Sequence, residues 1–140
     1  LLLVHASADD PAQWHYVYDQ RSATASLDAA LLHWPDVLYV LGGHVHMQTL
    51  YYRGSGHELM LFKPQPGVAI PVPRHRQWVG TVGSVGQPRD GSTLAMYALL
   101  DTTRAQLTYH RVPYDHHAAA EAVRRVGLPA FFADRLEAGR

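Results

Sequence analysis

Two short apolar runs, residues 1–4 and 37–41, bracket one stretch of helical spacing, and this arrangement constrains the fold more than any other feature. Each run is too short for a helix and apolar at every position, which is the pattern of a strand buried on both faces. The first run continues through small residues, so a buried strand is expected over residues 1–6. Between the runs, Leu27, Ala30 and Leu31 recur at helical spacing, with Ser26 as N-cap and Asp28 in the first turn. The stripe runs to His33, Pro35 stops it, and Gly42-Gly43 closes the second apolar run. A strand, a helix and a second strand normally place the two strands parallel, with a right-handed crossover. Both strands then finish at one edge of the sheet, where ligand sites of open α/β sheets collect.

The rest of the chain reads as further strands followed by two helices. Residues 47–53 and 58–62 form a hairpin through Gly54-Ser55-Gly56. Pro64, Pro66, Pro71 and Pro73 make the next stretch an extended loop of polyproline character. Strands are expected over 78–82, 93–100 and 106–112, the first two separated by a glycine-rich segment, 83–91. A helix over 114–126 closes at Gly127, and Pro129 opens a final helix whose Leu128, Phe132 and Leu136 face one side. Trp14, Tyr16 and Tyr18 alternate in a short extended stretch after the Asp9-Asp10-Pro11 turn. No internal repeat or domain boundary is visible, and 140 residues suit a single domain.

Lys and Arg number 12 and Asp and Glu number 12, so the formal charge is zero. A chain that grips nucleic acid by neutralising phosphates needs a basic surplus, so strong nucleic-acid binding is not expected. A small phosphate-bearing ligand is compatible with this balance. There is no cysteine, which excludes disulfides, thiolate metal sites and a thiol nucleophile. No apolar run approaches the length of a membrane span, and no basic segment precedes one as in a signal peptide. A cytoplasmic location without membrane association is therefore expected. The chain opens on Leu1-Leu2-Leu3-Val4 with no initiator Met, as though inside a strand, and is expected to be a piece of a longer protein.

Ten histidines leave imidazole and carboxylate as the strong metal ligands. The sharpest cluster is Gly42-Gly43-His44-Val45-His46, where a buried strand becomes a loop. In extended backbone, residues i and i+2 project to one side, so His44 and His46 can share a metal or serve two neighbouring ones. His5 ends the preceding parallel strand, and the inferred β-α-β geometry brings His5, His44 and His46 to one edge. Neutral imidazole suits Zn, Mn, Fe or Ni rather than Ca or Mg.

Four blocks together resemble the calcineurin-like metallophosphoesterases. They are Leu3-Val4-His5-Ala6-Ser7, Gly43-His44-Val45-His46, residues 83–91 (Gly83-Ser84-Val85-Gly86-Gln87-Pro88-Arg89-Asp90-Gly91) and Arg111-Val112-Pro113-Tyr114-Asp115. Within that superfamily they are most similar to the bacterial branch of diadenosine tetraphosphatases and YfcE-type phosphodiesterases. The resemblance covers nearly the whole chain but only the C-terminal half of the family's domain. It implies an α/β fold, the C-terminal half of a four-layer α/β/β/α sandwich, with residues 1–140 forming one partial domain. It implies two divalent transition-metal ions, with His5 and His44 on one and His46 on the other. It also implies hydrolysis of a phosphate ester, as a phosphatase or phosphodiesterase, by a hydroxide that bridges the two metals. The substrate would be a small phosphorylated molecule or a phosphoprotein. The family's Asp-x-His, its bridging Asp and its Asn-His acid lie upstream of the position of His5, and only four residues precede His5 here. The chain alone is therefore expected to be inactive, with catalysis a property of the full-length protein. Thr81-Val82 stands where many relatives carry Asn-Pro.

Other candidates are secondary. Arg89 can bind a substrate phosphate, or organise a hairpin with Asp90. Trp14, His15 and Tyr16 can stack on a nucleobase, or simply pack. His75, His116 and His117 are expected at the surface. The competing reading of function is a non-catalytic metal- or partner-binding remnant of the same fold. A cupin would need a Glu near Leu50 and Tyr51, and an amidohydrolase would open with His-x-His on its first strand. Neither pattern is present.

Overall fold

The computed structural model describes residues 1–140. Its first sheet holds five strands: β1 (Leu2–Leu3), β2 (Tyr39–Gly42), β3 (Gln48–Arg53), β4 (Leu59–Phe62) and β6 (Trp78–Val82), in the order β1-β2-β6-β3-β4. The second holds β5 (Ala69–Pro71), β7 (Ala95–Asp101) and β8 (Gln106–Val112), in the order β5-β8-β7. Helix α1 (Gln20–His33) connects β1 to β2, and α2 (His116–Arg125) and α3 (Ala130–Ala138) follow β8.

The opening unit is β-α-β with β1 and β2 parallel, as expected. Leu1 and Leu3 are exposed, however, so the first run is not the strand buried on both faces that its composition suggests, because it pairs on one side only. Strand β6 adds parallel to β2, and the β3–β4 hairpin adds antiparallel to β6. Alternation along the strands divides two cores. Val40, Tyr51, Leu59 and Val79 face α1, where Ala23, Leu27 and Ala30 are buried against them. Tyr39, Leu50 and Trp78 face the second sheet and meet Ile70, Val72, Leu107 and Tyr109. Leu27 is fully buried, and burying such a side chain stabilises by about 1.5–3 kcal/mol.

Several local expectations shift. Regular pairing in β1 covers two residues, although the Val4 amide still donates to Leu41 at 3.0 Å and the Gly43 amide to His5 at 3.0 Å. Helix α1 starts six residues before the Ser26 cap site. Asp19 is the true N-cap, and its carboxylate and the Ser22 hydroxyl form a reciprocal capping box. Ser26 instead lies buried inside the helix, its hydroxyl accepting from the Ala8 amide at 3.0 Å. The proline-rich stretch contributes β5, a short edge strand, a position that tolerates Pro71 because its missing amide can face away from the ladder. In α3 the buried residue is Ala133, while Leu128 and Phe132 are exposed.

Candidate functional site

Close backbone approach is what brings the imidazoles together. A Cβ on Gly42 would lie 2.8 Å from the Ala6 carbonyl oxygen, so only glycine lets the chain after β1 lie against the end of β2. His5 and His44 consequently face each other, with His5 Nε2 and His44 Nδ1 3.1 Å apart. The backbone after β2 is not extended. His44 (φ 62°) and His46 (φ 57°) are both left-handed and flank Val45, which is buried. His44 and His46 are therefore not alternate residues of an extended strand, contrary to the expectation. Both imidazoles nonetheless line one cleft of about 440 Å³ together with His5, Gly83 and Ser84.

His46 is held from behind. Its Nδ1 lies 2.7 Å from the Gln87 carbonyl oxygen, which can only accept, so Nδ1 carries the hydrogen and Nε2 carries the lone pair. The carbonyl itself is positioned by the 83–91 segment. The Gln87 amide donates to Ser84 Oγ at 2.9 Å, the Met96 amide donates to the Ser84 carbonyl at 2.9 Å, and the Tyr114 hydroxyl donates to the Gly86 carbonyl at 2.9 Å. Gly83 is left-handed (φ 90°), and a Cβ there would sit 2.5 Å from Met96 Sδ. Thr81, in the position noted for its departure from Asn-Pro, bonds Thr49 Oγ1 at 2.7 Å and the Met47 carbonyl at 2.8 Å.

Burial holds the pKa of His44 below the ordinary imidazole value, and the charges of His5, His46 and Arg89 push the same way. His46 is likewise lowered, mainly by burial, against the raising effect of its bond to Gln87. Neutral imidazole is the form that ligates metals. Arg89 is exposed and without a partner in the chain, and its charge reaches both imidazoles. Its neighbour Asp90 is committed to Arg111 at 2.5 Å.

Two nitrogens each about 2.0–2.1 Å from one ion lie about 3.0 Å apart at a right angle and about 3.4 Å apart at the tetrahedral angle. The 3.1 Å separation of His5 and His44 falls between these values. His46, with Nδ1 bonded to a carbonyl, has the back-side partner that fixes a ligating imidazole's tautomer. These three residues thus fit as a pair and a single donor. No group of three His, Asp or Glu side chains is arranged around one ion.

An aromatic wall adjoins the pair. The Tyr16 ring lies 4.4 Å from that of His44, and the Trp14 ring lies 5.0 Å from that of His5, centroid to centroid. The alternation of Trp14, Tyr16 and Tyr18 was its sequence signal; Val17 between them is buried in the α1 core. His75, His116 and His117 lie away from this cleft, His117 being 3.5 Å from Glu137.

No protein-family model matches the chain. It is 26% identical over all 140 residues to an uncharacterized protein of Methanocaldococcus jannaschii, covering 52% of that protein. A metallophosphoesterase from Sphaerobacter thermophilus superposes with a TM-score of 0.84 at 31% identity, over 99% of this chain and 54% of that one. A hypothetical protein from Pyrococcus horikoshii shares the fold at a TM-score of 0.63 and 16% identity, over 99% of this chain and 46% of that one. The chain thus spans about half the length of each relative. The architecture of this mixed α/β chain is that of about half of a metallophosphoesterase.

Proposed function

We propose that the chain is the portion of a metal-dependent phosphoesterase that supplies imidazole donors and a phosphate-facing arginine, within the metallophosphoesterase superfamily and its YfcE-like branch. The carrying observation is the orientation of the three imidazoles. His5 and His44 face each other at a separation suited to one ion, and His46 points its unprotonated nitrogen away from the Gln87 carbonyl. Divalent ions such as Mn, Fe, Zn or Ni, when bound, supply positive charge that polarises a phosphoryl group and acidifies water. The residues of the chain orient and hold. The Gly42 approach sets His5 against His44, the 83–91 segment fixes His46, and Arg89 is free to bind phosphate oxygens bidentately. A small phosphorylated molecule or a phosphoprotein is the substrate class, with a cytoplasmic setting. The pair-and-single distribution of donors favours one alternative, a metal- or partner-binding module without turnover.

Calorimetric titration of the chain with Mn²⁺ and Zn²⁺ tests metal binding apart from activity. Uptake is expected, with His44→Ala and His46→Ala each weakening it at least tenfold; uptake unaffected by either substitution would remove the assignment. Hydrolysis of bis(p-nitrophenyl) phosphate by the longest natural protein that contains this chain separates the two readings. Mn²⁺-dependent turnover lost in His44→Ala supports the enzyme, whereas uptake without turnover supports the binding module.

A further inference from the structure

Beside the imidazole cleft lies a second hollow, of about 520 Å³, walled by Trp14, Tyr16 and Tyr18 and edged by Asp9, His15 and Arg21. That volume lies within the range of small-molecule sites. The three rings are 56%, 48% and 64% exposed, although burial in a core would favour each of them. They are not free to move inward, because the segment that carries them is pinned at three points. Val17 is buried in the α1 core, the Tyr18 amide donates to Ser22 Oγ at 3.1 Å, and the Ala8 amide is held by Ser26. Trp14 itself adopts a left-handed backbone (φ 54°) after a turn closed by the Gln13 amide on the Asp10 carbonyl at 3.0 Å. Such a conformation is unfavourable for a bulky residue and persists only where its surroundings impose it.

The polar edge is equally ordered. His15 Nδ1 bonds Asp9 Oδ2 at 2.9 Å, and Asp9 also accepts from the Ser7 hydroxyl. His15 Nε2 has no partner in the chain and the residue is half exposed. A rigid wall of exposed π-faces with hydrogen-bonding groups at its rim binds a flat, heteroatom-edged ring: stacking holds the faces and the rim reads the edge. Tyr16 and Trp14 also touch His44 and His5, so such a ring would lie directly beside the phosphate-facing imidazoles. We propose that the Trp14–Tyr16–Tyr18 hollow binds the nucleobase of a nucleotide substrate, with the attached phosphate on the His5–His44 side. This names the substrate class of the phosphoesterase reading above and rests on it for the phosphate, but not for the base.

Adenosine carries the base without a phosphate and so probes the hollow alone. In saturation-transfer NMR on the metal-free chain, the adenine H2 and H8 protons are expected to receive more saturation than the ribose protons. Trp14→Leu is expected to weaken adenosine binding at least tenfold and Trp14→Phe to restore most of it, with unchanged Tm in both variants; ribose 5-phosphate should give no Trp14-dependent signal. Failure of adenosine to bind, or binding indifferent to Trp14→Leu, overturns the proposal. A (dA)6 strand that binds more than tenfold tighter than adenosine overturns it in favour of a nucleic-acid strand. Adenosine binding that persists in a protein without phosphoesterase turnover discards the enzyme reading and leaves the base site standing. Mn²⁺-dependent turnover without adenosine binding does the reverse.

Discussion

The hydroxyl of Tyr109 lies fully buried between the two sheets and donates to the Thr49 carbonyl of β3 at 2.8 Å. Burial pushes this phenol's pKa up, so it remains a neutral donor across the physiological range. Removing a buried donor leaves its acceptor unsatisfied, which costs about 1–3 kcal/mol. Tyr109→Phe should therefore lower the unfolding free energy by about that amount in a urea titration, with little change in slope. Gln48 plays a similar bridging part, its side-chain amide donating to the His110 carbonyl at 3.1 Å while its oxygen accepts from Arg111 at 3.1 Å. At the site, the decisive single residues are Gly42 and the left-handed pair His44 and His46. The left-handed pair is not encoded by a local pattern: histidine is enriched among the few non-glycine residues at positive φ, yet it adopts that conformation only occasionally.

Helices α2 and α3 are joined by charge. Arg124 donates to Glu121 at 2.8 Å, to Asp134 at 3.2 Å and to Glu137 at 2.7 Å. The Arg124 guanidinium holds the Glu137 carboxyl down at about 2, against an ordinary 4.5, with His117 adding to the effect. Folding therefore favours the ionised carboxylate. Its contribution is complete above about 4.5 and is lost as the pH falls toward about 2. Glu137→Gln should flatten the fall in Tm between those pH values, and added salt should act in the same direction, because the network is partly open to solvent. The start of α1 is set by a reciprocal cap and not by residue type alone. Ser26 matches an N-cap by residue type, but Asp19 and Ser22 form the reciprocal cap, and Ser26 is spent on the Ala8 amide.

Across the whole molecule, the first sheet ends at β1, which pairs on one side only, with β2. Leu1 and Leu3 are 61% and 69% exposed there, beside a groove lined by Val4, Leu41, Ala98, Leu100 and Leu107. An open apolar strand edge templates pairing with other chains. For residues 1–140 in isolation, Leu3→Lys should reduce concentration-dependent light scattering while leaving Tm unchanged; scattering equal to that of the parent would show that association uses another surface. The sequence by itself determined the parallel opening unit, the β3–β4 hairpin and the strands β6 and β8, because apolar runs bounded by glycine, proline and Asp-rich turns are short-range signals. It also placed His5 and His44 at the ends of neighbouring strands. Only the tertiary structure decided that β5 finds β8, that the Gln87 carbonyl orients His46, and that Trp14 and Tyr16 stand beside His44. Each of these depends on backbones distant in sequence coming into contact, and that approach is set by packing rather than by the periodicity of any one segment.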